Sequence, residues 1–171
     1  MDLSFPENSE KEHVFEAVQN YLDSLELHVV AIDKTRPWGG FYVIDETLAS
    51  NFIEQFFPSL DKKNIPPGQK LSPKILIVAP GKRLSWQYHF RRSELWKIIG
   101  GTAGVAKSDG DTEQETIHFK PGDIIQLKQG ERHRLIGLNE WGIVAEIWQH
   151  TDATNPSDEE DIIILQDDFG R

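Results

Sequence analysis

The chain has 171 residues, no cysteine and a formal net charge of −10. That length suits one domain with a real core, and the lack of thiols rules out disulfides and thiolate metal sites, so any metal must rest on nitrogen and oxygen ligands. The acidic balance argues against nucleic acid or an anionic membrane as the main partner, but leaves room for a small anionic ligand held by a few clustered arginines.

Ser9 and Glu12 form a capping-box pattern, and Val14, Val18, Tyr21, Leu22 and Leu25 recur at helical spacing. Residues 9–25 are therefore expected to be an amphipathic helix. Residues 27–32 read as a strand. The segment Arg36-Pro37-Trp38-Gly39-Gly40 interrupts it, and residues 41–44 resume extended structure. Leu48, Phe52 and Phe56 predict a short second helix near 47–57, and 62–72 is a connecting loop.

From Lys74 onward the pattern changes. Short apolar or alternating runs fall at 74–79, 84–90, 95–99, 102–107, 115–119, 123–127, 133–136, 142–148 and 161–165. Pairs such as Pro80-Gly81, Gly100-Gly101, Asp109-Gly110, Pro121-Gly122 and Gln129-Gly130 separate them. Many short strands at regular spacing predict a mainly β sandwich or barrel. One structural domain is expected, with 1–73 as helical and strand decoration and 74–171 as the barrel and its tail. The acidic run 158–161 reads as a solvated loop. No apolar run is long enough to span a bilayer, and the polar start MDLSFPENSEKEH lacks the features of a signal peptide, so a soluble, cytoplasmic protein is expected.

One group of residues carries chemistry. Alternation along 84–90 puts Gln87 and His89 on one face. A turn after Phe90 brings Glu94 beside them, and His133 follows the turn at Gln129-Gly130. Two imidazoles, a carboxylate and an amide oxygen suit one divalent metal ion, zinc first, with manganese, iron, nickel or cobalt also compatible. The blander readings are a salt bridge from Glu94 to Arg91 or Arg92, and a strand glutamine at Gln87 bonding to backbone. His13, His28, His118 and His150 read as ordinary polar residues. Trp86, Tyr88 and Phe90 should face away from the metal, under the N-terminal helix or against a second subunit.

Gly81, Gln87-x-His89, Glu94 and Gly101 resemble the first motif of the cupin superfamily, and Gly122, Lys128-x-Gly130 and His133 resemble the second. Gln87 stands where many cupins have histidine, Lys128 where they have proline and Gly137 where they have asparagine. The run Pro80-Gly81-Lys82-Arg83-Leu84-Ser85-Trp86-Gln87-Tyr88-His89, with Arg92-Ser93-Glu94-Leu95-Trp96, looks like the type II mannose-6-phosphate isomerases. There, too, a glutamine replaces the first histidine. Arg36-Pro37-Trp38-Gly39 and the tail from Glu160 to Arg171 resemble that family's entry and ending, with Ile164 at the place of its tail arginine. The resemblance implies a cupin (double-stranded β-helix, or jelly-roll) barrel, a homodimer, and interconversion of mannose 6-phosphate and fructose 6-phosphate. The family's barrel is often fused to a nucleotidyltransferase domain; here it is expected to stand alone.

Such an isomerisation needs a Lewis acid, a base that moves a proton through an enediol, and cations for the phosphate and the enediolate. Arg36, Arg83, Arg134 and Arg171 are the candidates for holding substrate. Arg92, Glu146 and Lys97 are the candidates for chemistry, with Asp167 or a metal-bound hydroxide as further alternatives for the base, among which spacing does not choose. A sugar-binding cupin without catalysis, or another metal-dependent cupin enzyme such as a dioxygenase, are the competing readings, since the fold hosts many activities.

Overall fold

In the computed structural model, which describes residues 2–65 and 69–170, the first helix buries one face completely: Val14, Phe15, Val18 and Leu22 are inaccessible to solvent. This is α1 (Lys11–Ser24). The capping box expected at Ser9 and Glu12 does not form. Glu10 is the N-cap, without a side-chain cap bond, and the Ser9 N–H closes a turn onto the Pro6 carbonyl. Then come β1 (Val29–Asp33), β2 (Gly39–Ile44), a 3-10 turn at Glu46–Leu48 and α2 (Ala49–Phe56). The expected loop 62–72 holds a 3-10 turn at Lys62–Asn64, and 66–68 lie outside the described residues.

The remaining strands are β3 (Lys74–Val78), β4 (Trp86–Tyr88), β5 (Arg92–Gly100), β6 (Ala103–Ser108), β7 (Ile117–Phe119), β8 (Ile124–Leu127), β9 (Arg132–Gly137), β10 (Gly142–His150) and β11 (Ile163–Gln166). They form two antiparallel sheets. One is six-stranded in the order β1-β2-β3-β10-β5-β8, and the other five-stranded in the order β11-β4-β9-β6-β7. Because β2 pairs with β3 from Gly39↔Val78 to Val43↔Lys74, the segment before residue 74 continues the barrel's own sheet. This is a mainly β cupin barrel, the fold class expected.

The alternation of side chains across the sheet creates two cores. Leu95, Ile75, Ile77, Ile143, Ala145 and Ile147 face outward and pack against α1 and α2. Trp96, Ile98, Leu76, Val78 and Val144 face inward between the sheets, with Trp38, Leu84, Ile125 and Leu135. Gly137, where many cupins have asparagine, is required by a close approach: a Cβ there would sit 1.9 Å from the Ala79 carbonyl oxygen. The expected position of Trp86 under the N-terminal helix is not observed. β4 lies in the five-stranded sheet, away from α1, and the Trp86 indole N–H donates to the Asp111 carbonyl instead. Tyr88 lies under the Arg132 guanidinium, and Phe90 is exposed.

Candidate metal centre and its cavity

Three inward-facing side chains meet at one end of the barrel. His89 follows β4, Glu94 lies on β5 and His133 on β9, where it is the Cα partner of Gln87. All three are buried, and one ligand atom from each falls within 4.8 Å of the others. His89 Nε2 is 3.2 Å from Glu94 Oε1, and His133 Nε2 is 3.7 Å from Glu94 Oε2.

The backbone sets the tautomers. His89 Nδ1 is 2.7 Å from the Asp161 carbonyl oxygen, and His133 Nδ1 is 3.0 Å from that of Glu131. A carbonyl only accepts, so both Nδ1 atoms carry a proton and both Nε2 atoms are the ring nitrogens turned to the centre. His133 Nε2 is buried with no hydrogen-bond partner among the described residues. An orphaned imidazole nitrogen beside a carboxylate and a second imidazole nitrogen is the donor set of an open divalent-metal site. The residues present therefore fit a metal ion. Gln87 lines the same cavity, half-buried.

Arg92 is the centre's own cation. Its Nε donates to Glu94 Oε1 at 2.9 Å, and its Nη2 lies 3.3 Å from His89 Nε2. Its Nη1 donates to the Ser157 hydroxyl and the Asp158 carbonyl, and its guanidinium stacks 3.8 Å from the Trp148 ring centroid. The Glu94–Arg92 salt bridge and the clustering with two histidines thus occur together. Burial works to raise the Glu94 carboxyl, but His89 and Arg92 overcome it and hold the group well below the usual carboxylate range. Burial pushes His133 down to about 4, against the pull of Glu94.

The cavity over this centre measures about 150 Å³. Aromatic side chains wall it: Trp38, Phe41, Trp96 and Trp148. Glu146 stands among them, accepting a 2.8 Å bond from the Trp96 indole. Burial pushes its carboxyl up to about 7, the nearby Glu94 charge adds to the rise, and Lys74 and Arg92 oppose it.

Of the residues expected to serve the site, the structure brings Gln87, His89, Glu94, His133, Arg92, Glu146 and Arg36 to this cavity. It places others elsewhere. Lys97 and Glu94 are an odd number of residues apart on β5, so Lys97 points to the opposite face of the sheet. Arg134 follows His133 and faces out of the barrel for the same reason. It is fully buried by bonds to the Leu84 carbonyl, Glu113 and Gln166. Arg83 forms a two-pronged salt bridge with Asp168. Arg171 lies outside the described residues.

The acidic run 158–161 is not a solvated loop throughout. The Asp161 carboxylate accepts bonds from the Phe90 N–H, the Arg91 N–H and the Ser157 hydroxyl, while its carbonyl holds His89. Glu159 and Ile162 reach the cavity, as does Lys74 from β3. Lys74, Trp148 and Asp161 are the residues that sequence reasoning missed. Alternation carried a signal for Lys74, since it precedes the inward-facing Leu76 by two residues. Nothing local marked Asp161.

Two antiparallel sheets around an inward His–Glu–His cluster define the cupin class. Residues 45–167 match the family model described as "Mannose-6-phosphate isomerase C-terminal", and the chain belongs to that family. It is similar to xanthan biosynthesis protein XanB of Xanthomonas campestris pv. campestris (strain B100), 27% identical over 136 residues, covering 80% of this chain and 23% of that protein. It is also similar to a mannose-1-phosphate guanylyltransferase of Sinorhizobium fredii, 33% identical over 114 residues, covering 65% of this chain and 18% of that protein. The chain thus spans about a fifth of the length of these relatives. Among solved structures, the capsular polysaccharide assembling protein CapF of Staphylococcus aureus shares the fold, with a TM-score of 0.54 at 13% identity, over 91% of this chain and 38% of that one. No helix among the described residues is long and apolar enough to cross a membrane.

Proposed function

We propose that this chain is a metal-dependent aldose–ketose isomerase acting on a sugar phosphate, with mannose 6-phosphate and fructose 6-phosphate as the pair. One observation carries the reading. Glu146, a buried carboxylate raised to about 7, shares a cavity with a His–Glu–His group. A base for carbon acids works best when its pKa lies near the working pH. The family to which the chain belongs supports the choice of sugar.

His89 Nε2, His133 Nε2 and a Glu94 oxygen would hold the metal, with the Gln87 amide oxygen as the fourth ligand and zinc as the leading candidate. When bound, the ion supplies a Lewis acid for the carbonyl and hydroxyl oxygens of the open-chain sugar. Glu146 takes the proton from C2 of the aldose and returns it to C1, while a proton passes from the C2 hydroxyl to the C1 oxygen. The Trp96 indole N–H, bonded to Glu146 at 2.8 Å, keeps the carboxylate aimed. Four of the five donors of Arg92 are taken up by Glu94, His89, Ser157 and Asp158, so its work is to fix the ligands. Trp38 and Trp148 exclude water and offer flat faces to the carbon skeleton.

Proton NMR in heavy water tests this. Metal-loaded protein is incubated with mannose 6-phosphate or fructose 6-phosphate, with and without chelator. Deuterium entering beside the carbonyl, and lost with the chelator, is the expected result. No exchange with any divalent metal would sink the isomerase.

A further inference from the structure

The cavity contains one buried cation whose hydrogen-bonding capacity is largely unspent. Lys74 stands on β3 in register with Glu146 on β10, which is in register with Trp96 on β5. Its side chain is 11% exposed. The ammonium has three N–H donors, and among the described residues its one hydrogen-bond acceptor is Glu159, at 2.8 Å. It lies 4.9 Å from the Trp148 ring centroid and 5.7 Å from that of Phe41. The cavity's other cations are differently placed. Arg92 has four of its five donors committed, and Arg36 is tied to Asp33 by its Nε at the mouth.

Glu159 is a weak owner of that ammonium. Its side chain is 68% exposed, and Lys74 is its one hydrogen-bond partner among the described residues. An exposed carboxylate held by a single bond contributes little to stability. A ligand anion with more oxygens and more charge displaces it at small cost.

Resting on the isomerase reading of this same cavity, we propose that Lys74 is the anchor for the substrate's phosphate, and that Glu159 is the counter-ion which the phosphate displaces. A phosphate monoester carries up to two negative charges and three acceptor oxygens, against two oxygens and one charge on Glu159. The spacing fits the phosphate end rather than the reacting end. Lys74 lies two strands from β5, which carries Glu94, about 9–10 Å across the sheet at the backbone. Glu146 lies between them, one strand from each. An open-chain sugar with its carbonyl at the metal centre then passes Glu146 and ends at Lys74.

The test uses the metal-loaded full chain and binding measurements that need no turnover. Fructose 6-phosphate and fructose are titrated calorimetrically, with inorganic phosphate as a competitor, and steady-state kinetics run beside them. Lys74→Met is expected to weaken fructose 6-phosphate and inorganic phosphate at least tenfold, leave fructose unchanged, and raise KM by a larger factor than it lowers kcat, the loss in kcat following from the higher Glu146 carboxyl once the neighbouring cation is gone. Lys74→Arg is expected to recover part of the loss. Glu159→Gln, at an exposed position that does not threaten folding, is expected to tighten both phosphates severalfold. Unchanged phosphate affinity in the Lys74 and Glu159 variants overturns the proposal, as does a parent protein that binds neither phosphate. A fall in kcat with KM unchanged in Lys74→Met also overturns it, by moving Lys74 to the reacting carbons. If the affinity differences hold while no protein isomerises anything, the anchor stands and the isomerase falls.

Discussion

Two charged clusters lie on different parts of this barrel, and they differ in how completely their members are satisfied. On the outer face of the five-stranded sheet, Arg134 spreads its donors over the Leu84 carbonyl, Glu113 and Gln166, and Arg83 clasps Asp168 with two bonds. In the Arg83–Asp168 pair each partner gains from being charged: the bonds from Arg83 and Gln166 hold the Asp168 carboxyl far below its ordinary value, and Asp168 raises Arg83. Burial lowers Arg134, and Glu113 and Asp168 oppose that fall. Inside the barrel the balance is reversed. Glu146 is pushed up to about 7 and His133 down to about 4, both mainly by burial. His133 Nε2 and the Trp148 indole N–H have no hydrogen-bond partner among the described residues. A cluster that satisfies itself is architecture, whereas one that leaves donors and acceptors unspent is built for something it does not itself contain.

The comparison breaks most readily at His133. His133→Ala should remove metal binding while leaving a folded barrel, since the one hydrogen bond it gives up is the local Nδ1 bond to the Glu131 carbonyl and Nε2 makes none among the described residues. The loss should exceed the roughly 10–100-fold that follows removal of an outer partner of a metal ligand. Metal content by mass spectrometry and folding by circular dichroism check it, and equal metal in variant and parent refutes the ligand assignment. Next in size is Glu146→Gln, which should lower kcat by about 10²–10⁴-fold with metal retained. The working base is the ionised form. In the parent, activity should therefore rise with pH, with a midpoint at or below about 7 because a bound cation favours the carboxylate. That limb should vanish in the variant. The stability linkage runs the other way. A carboxyl raised in the folded state favours folding below its unfolded pKa, near 4.5, and that contribution is lost as pH rises toward about 7.

The legible part of this molecule is the part whose signals are local. Gln87 and His89 two apart on a strand, Glu94 just beyond a turn and His133 behind another turn can be read off spacing, and the structure gathers them. The alternation of strands is equally readable. Applied from Glu94 it turns Lys97 outward, and applied from His133 it turns Arg134 outward, so a charge that suits the chemistry does not by itself mark a site residue. The same alternation, applied from Leu76, turns Lys74 inward with donors to spare. What no local signal carried is the return of the tail. Asp161 reaches His89 across 72 residues of chain, through contacts made only when the barrel has closed.

Asp161→Ala sharpens the comparison by attacking the satisfied groups that hold the unsatisfied ones. The variant loses the carboxylate that fixes the Phe90 and Arg91 backbone and the Ser157 hydroxyl, and with it the aim of the carbonyl on His89 Nδ1. Metal affinity should fall by about 10–100-fold. An unchanged dissociation constant for zinc, measured by competition with a chelating dye, would reduce the acidic turn to surface.

Arg134→Met is the smallest expected effect on function. The guanidinium is fully buried, but one of its partners, Glu113, is partly exposed and can return to water, and methionine fills the volume along the side-chain stem. The loss should be about 1.5–3 kcal/mol of folding stability, the range for hydrogen bonds to charged groups. Because the residue faces away from the cavity, metal affinity and KM for a sugar phosphate should stay within error of the parent. A variant that folds as well as the parent but binds fructose 6-phosphate more weakly would return Arg134 to the substrate. The two clusters would then be halves of one site, and the division between satisfied and unsatisfied charge would no longer separate architecture from function.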